Sequence, residues 1–111
     1  MSYNTTEKTG GIVVIDCPAR LDINVSEELK SLLTNLIKEK KFKIVLNLSE
    51  TKYVDSSGLG AIVSRIAVTR SNNGDVRIVT AIKSVLDLLE LTHLNKILDC
   101  YTNIDDAVSD F

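Results

Sequence analysis

Lys52-Tyr53-Val54-Asp55-Ser56-Ser57-Gly58-Leu59-Gly60 is the stretch from which the fold of this chain can be read. Tyr53 and Val54 suit the end of a strand, and Asp55-Ser56-Ser57 is a short polar turn. Apolar residues then fall at Leu59, Ile62, Val63, Ile66 and Ala67, the spacing of one face of a helix. Asn72-Asn73-Gly74, residues that tolerate left-handed backbone, end that helix. Strand, polar turn and helix in immediate succession are the repeating unit of an α/β domain.

The same alternation extends in both directions. Tyr3 to Lys8 reads as an edge strand, Thr9-Gly10-Gly11 as a turn, and Ile12-Val13-Val14-Ile15 as a buried strand closed by Pro18. Val25, Leu29, Leu32, Leu33, Leu36 and Ile37 mark an amphipathic helix, with Asn24 or Ser26 available as its cap. Ile44 to Leu48 is a near-continuous apolar strand, which implies cover on both faces or a parallel neighbour. Val76 to Thr80 forms another strand. A helix opens at Ser84, its expected N-cap; Ile97 to Tyr101 is a last short strand, and Ile104, Ala107, Val108 and Phe111 outline a terminal helix. The first two strands are too close for a helical crossover and must form a hairpin. The expected fold is therefore α/β: a mixed, mostly parallel sheet of four to five strands packed with about four helices, in a single domain over 1–111.

Composition agrees with a small globular domain. The chain has 111 residues, 44% hydrophobic and 25% charged, with no Trp, so its core is aliphatic. Such a length buries somewhat over about 60% of the unfolded surface and folds without disulfide or metal. The formal charge of −2 offers no basic stripe for nucleic acid. The cluster Lys38-Glu39-Lys40-Lys41-Phe42-Lys43 sits at a helix end, where Lys offsets the helix dipole. No apolar run reaches membrane-spanning length and Met1 to Gly10 is polar, so no membrane and a cytoplasmic location are expected. Cys17 and Cys100, without CxxC spacing or a neighbouring His, are expected to be reduced and buried.

Known catalytic patterns do not fit the central stretch. A nucleophile elbow needs Gly two residues before Ser, but Asp55 precedes Ser57 and Val54 precedes Ser56 at that distance; His93 would be the sole base. A P-loop needs Lys-Ser/Thr after its second Gly, and Gly60 is followed by Ala61-Ile62. A dinucleotide fingerprint lacks its third Gly at Val63. A response-regulator phosphoacceptor at Asp55 lacks a paired acid, since Asp16 and Asp22 stand apart. No catalytic residue, metal site or cofactor is therefore assigned. Locally, Asp55 or Ser56 serves as an N-cap. Gly58 and Gly60, each costing a helix about 1 kcal/mol relative to Ala, point to close approach at that backbone. A hydroxyl at a helix N-terminus is also a place where phosphate is welcome, because free N–H groups and the dipole face it.

Asn47-Leu48-Ser49 followed by Tyr53-Val54-Asp55-Ser56-Ser57-Gly58-Leu59-Gly60 resembles the motif of bacterial anti-sigma factor antagonists, the free-standing STAS domains, and the element order matches from about Thr5 to Val108. The resemblance implies that Ser56, directly after the Asp, is phosphorylated by an anti-sigma factor serine kinase and dephosphorylated by a PP2C-type phosphatase. The family's Gly-x-Leu/Ile-Asp segment reads Ala19-Arg20-Leu21-Asp22 here, which makes Asp22 the matching acid near Ser56; Ala19 departs from the family's Gly. Asp22, Asp55, Ser57, Gly58 and Gly60 then form the neighbourhood of the phosphosite and the partner's docking surface, flanked by Ser64, Arg65 and Thr69. The implied function is partner switching: the unphosphorylated protein binds the kinase and frees a sigma factor, and it is a substrate, not an enzyme. A STAS scaffold, or a nucleotide-binding regulatory module, is the alternative.

Overall fold

The structure, a computed structural model, describes residues 2–109 and 111. Gly10 and Gly11, at φ 87° and 77°, reverse the chain between β1 (Asn4–Lys8) and β2 (Ile12–Asp16). These strands pair antiparallel, as their short connection requires. β2 runs parallel to β4 (Lys43–Asn47), β4 to β6 (Asp75–Val79), and β6 to β7 (Asp99–Tyr101), giving the order β1-β2-β4-β6-β7. The sheet is thus mixed and mostly parallel, as read from the sequence. A separate parallel ribbon joins β3 (Arg20–Leu21) to β5 (Tyr53–Val54). The helices are α1 (Ile23–Lys38), α2 (Ser56–Val63), α3 (Ile66–Ser71), α4 (Lys83–Leu91) and α5 (Ile104–Val108), with a 3₁₀ turn at Leu94–Lys96.

The period-two alternation of strands assigns the apolar runs to two cores. Val13, Ile15, Ile44, Leu46, Val76 and Ile78 face Leu29 and Leu33 of α1, Ala61 and Ile62 of α2, and Val85 and Leu89 of α4. Ile12, Val14, Val45 and Val79 face the other way, under Ala107 of α5 with Ile104, Val108, Phe111 and Tyr101. This two-sided cover accounts for the continuous apolar character of β4. Each fully buried Leu, Ile or Val contributes about 1.5–3 kcal/mol over an exposed one.

Three helices, α1, α3 and α4, are each followed by a left-handed residue, Lys40, Asn73 and His93. Lys40 (φ 60°) follows α1, with Lys41 N–H donating to the Leu36 carbonyl and Lys40 N–H to that of Ile37. Asn73 (φ 63°) does the same after α3, and the chain then passes so close to Phe42 that a side chain at Gly74 would strike the Phe42 carbonyl. Lys41 also pairs with Glu7 and Glu39, so the basic cluster is partly neutralised locally.

The details differ from the sequence reading at several points. Asp22, rather than Asn24 or Ser26, caps α1: its carboxylate accepts from the Asn24 N–H at 3.0 Å, and Ser26 is buried. The helix expected from Leu59 to Ala67 is broken into α2 and α3. Ser64 donates its hydroxyl to the Ala61 carbonyl (2.7 Å), and Arg65 leaves helical geometry at φ −124°. The Arg65 guanidinium takes the Ser64 carbonyl (3.0 Å) and the Thr34 hydroxyl of α1 (2.8 Å), replacing what the backbone gives up. α4 begins at Lys83 with Ile82 at the cap, so Ser84 lies inside it. Residues 94–96 take up the 3₁₀ turn after left-handed His93, and the last strand starts only at Asp99. Cys17 is buried, but Cys100 is exposed, because β7 is the edge of the sheet.

Candidate functional site

The β3/β5 ribbon sets the site. Leu21 and Val54 are buried, while their neighbours Arg20 and Tyr53 are exposed and paired in register. Each two-residue strand is followed by an aspartate that caps a helix: Asp22 before α1, Asp55 before α2. The ribbon continues through one more bond, from the Asp55 N–H to the Leu21 carbonyl (3.2 Å). Two helix starts therefore lie side by side.

Asp55 organises the first turn of α2. Its Oδ1 accepts from the Ser57 hydroxyl (2.6 Å) and from the Gly58 N–H (3.0 Å). The Ser57 hydroxyl, then the Gly58 amide, with further help from the Ser57 and Ile23 amides, hold the Asp55 carboxyl below its ordinary range, against a smaller opposing effect of burial. The group is therefore ionised at neutral pH and committed to capping. Ser56, the first residue of α2, is exposed, whereas Ser57 is half-buried and already engaged by Asp55.

The two glycines play different parts. Gly58 is buried, and a Cβ there would run into the Leu21 carbonyl and come within 3.0 Å of Val54 Cγ1. The close approach expected from sequence is thus the ribbon itself. Gly60 is exposed, with nothing within 4 Å of where a Cβ would stand. It lies four residues after Ser56, on the same helix face.

Three residues that sequence reasoning did not select also surround the site. Ile23, at the start of α1, is 71% exposed and Tyr53 is 43% exposed. The Arg20 guanidinium lies 4.2 Å from the Tyr53 ring centroid, with its Nε 3.5 Å from Asp22 Oδ2. An isoleucine directly after a capping aspartate, outside the apolar stripe of its helix, was the available signal. In contrast, the expected flank of Ser64, Arg65 and Thr69 is not a free polar face. Thr69 is fully buried and donates to the Ile66 carbonyl, and the polar groups of Ser64 and Arg65 are spent on the break between α2 and α3.

The chain matches the STAS domain family over residues 3–107. It belongs to the STAS domain family. This STAS domain is 27% identical over 101 residues to an anti-sigma F factor antagonist of Paenibacillus polymyxa, covering 90% of this chain and 86% of the relative. A crystal structure of a candidate anti-sigma factor antagonist from Thermotoga maritima superimposes with a TM-score of 0.88 at 25% identity, covering 97% of this chain and 92% of the other. The Bacillus protein SpoIIAA in its phosphorylated form shares the fold, with a TM-score of 0.74 at 19% identity and 96% of each chain covered. Among the described residues of the STAS domain, no group of three or more His, Cys, Asp or Glu is placed to hold a metal ion, and no helix is long and apolar enough to cross a membrane.

Proposed function

We propose that this STAS domain is an anti-sigma factor antagonist of the cytoplasm, switched by phosphorylation of Ser56 and acting as a substrate and binding partner, not as an enzyme. The observation that carries the reading is the exposed Ser56 at the first position of α2, beside a Ser57 whose hydroxyl is already held by Asp55. Similarity to the Paenibacillus antagonist along most of both chains supports the same class of partner. In its unphosphorylated form the domain binds an anti-sigma factor serine kinase and frees the sigma factor. The kinase then moves the γ-phosphoryl group of ATP to Ser56 Oγ; the hydroxyl proton is lost and ADP leaves. A PP2C-type phosphatase hydrolyses the ester and restores the hydroxyl.

The physics of the switch needs no refolding. A phosphate brings about −1.5 to −2 charge to a pair of adjoining helix starts that already carry Asp22, on α1, and Asp55, on α2. The N–H groups at the start of α2 favour that charge, so the domain stays folded, while a partner docked over Ser56 and Gly60 must desolvate it. A hundredfold loss of affinity requires about 2.8 kcal/mol. Incubation with the cognate kinase and ATP, followed by peptide mass spectrometry, is expected to find one phosphate on Ser56 and none in Ser56→Ala. Ser56→Glu is expected to bind the kinase at least tenfold more weakly at unchanged melting temperature. Phosphate found only at other residues overturns the proposal.

A further inference from the structure

Arg20 stands out as a cation beside the switch that no structural need consumes. Its side chain is 64% exposed and is held by one 3.5 Å contact to Asp22 and by the face of Tyr53. The Asp22 carboxylate is largely covered, but a single 3.5 Å contact from a guanidinium that stays mostly in water contributes little. The other charged groups on the elements that meet near position 56 are more committed or more distant along the chain. Asp22 and Asp55 cap helices, and Glu27 and Lys30 of α1 face each other at 3.5 Å with Glu28 beside them. Lys83 and Asp87 of α4, which packs on β5, pair with each other at 2.9 Å, Arg65 is bound to Thr34, and Lys52 precedes β5.

The ribbon is parallel, with Arg20 opposite Tyr53 and Leu21 opposite Val54. Asp22 lies beyond Arg20 in the same direction as Ser56 lies beyond Tyr53. The lean of the guanidinium toward Asp22 is therefore a lean toward the Ser56 end of the ribbon, at most about 10 Å along the strand direction and about 5 Å across to the neighbouring strand. That span is within the combined reach of an arginine and a phosphoserine.

We infer that Arg20 is the phosphate-sensing residue of the switch: once Ser56 carries a phosphate, the guanidinium leaves the Tyr53 ring and the Asp22 carboxylate and pairs with it. This inference rests on Ser56 being the modified residue. Arginine meets phosphate with two parallel N–H···O bonds, which a lone 3.5 Å contact to one carboxylate oxygen does not match. The consequence is that phosphorylation changes shape as well as charge. Tyr53 loses its cover, Asp22 loses its counter-ion, and the outer face of the ribbon is rebuilt beside Gly60.

The test uses the full chain with phosphoserine installed at position 56 by codon suppression, so that no kinase is needed; failure of the kinase assay and failure of this titration are then separate events. The second pKa of the phosphate, about 6 when free, is followed by ³¹P NMR. A nearby cation favours the dianion and lowers that pKa. The helix start lowers it equally in every variant, so differences between variants isolate the side chain. Arg20→Gln is expected to raise the value by about half a unit relative to wild type. Arg20→Lys, which keeps the charge but not the two-pronged contact, restores only part of the depression, and the wild-type difference shrinks in high salt. Equal values in wild type and Arg20→Gln overturn the inference, as does a Lys52→Gln variant that shifts as far as Arg20→Gln.

Discussion

Glycine inside a helix costs about 1 kcal/mol against alanine, and α2 carries two of them for unrelated reasons. Gly58 admits the Leu21 carbonyl and so lets the ribbon pass against the helix start. A methyl group there has no room that does not come from backbone. Gly58→Ala is expected to destabilise the domain by about 3 kcal/mol or more in urea unfolding. Gly60 faces open space, so Gly60→Ala is expected to stabilise the isolated domain by up to about 1 kcal/mol. The same substitution weakens kinase binding if the partner packs on that face. A loss of stability in Gly60→Ala would show that α2 is constrained on its outer side by something within the chain. From sequence the two positions look alike. What separates them is the three-dimensional course of residues 19–22, far away along the chain.

At the level of elements, the long helices and the sheet strands were legible because periodicity repeats enough times to be counted. α1 spans sixteen residues and β2, β4 and β6 five each. The β3/β5 ribbon was not legible, since two residues per strand cannot display an alternation. The cap of α1 was missed: Asn24 and Ser26 were the expected candidates, whereas the backbone turns into the helix at Asp22, whose carboxylate suits a cap equally well. The break between α2 and α3 was hidden because the apolar spacing continues across it, with Ile66 inward on the far side. Arg65 stitches that break to α1 through Thr34. Arg65→Ala removes two hydrogen bonds from a charged donor and is expected to cost about 1–2 kcal/mol. Amide exchange should rise in Ile66–Ser71 before it rises in α1; an even response across both helices would mean that the stitch carries no local load. The site divided similarly. Ser56, Asp55, Asp22 and the glycines are adjacent to recognisable motif residues, whereas Arg20, Tyr53 and Ile23 come together only through the ribbon.

Over the whole molecule, the two sheet faces are covered unequally. α1, α2 and α4 line one, while the other depends on the five-residue α5. So short a helix has little stability of its own and is held by Arg77 of β6. Its guanidinium donates to the Ala107 and Ser109 carbonyls at 3.0 and 2.9 Å and lies 4.1 Å from the Phe111 ring centroid. Arg77→Ala is expected to expose residues 104–108 to amide exchange well ahead of the sheet, with a lower melting temperature. Unchanged protection there would transfer the anchoring role to the apolar contacts of Ala107. The face opposite Ser56 is thus the softer one, and a switch confined to the ribbon and the start of α2 leaves it undisturbed.

The unequal fate of the two cysteines has a practical consequence. Burial pushes the Cys17 thiol up to about 12, out of reach of alkylating reagents in the native state. Partial burial and the neighbouring Asp99 raise the Cys100 thiol too, but this residue is exposed on an edge strand, so one fluorophore can be placed on the native chain at mildly alkaline pH without altering a single codon. Because β7 joins the sheet at the end opposite the β1 hairpin, a dye there reports tumbling and complex formation from a vantage point outside the ribbon and the two helix starts it would be used to watch.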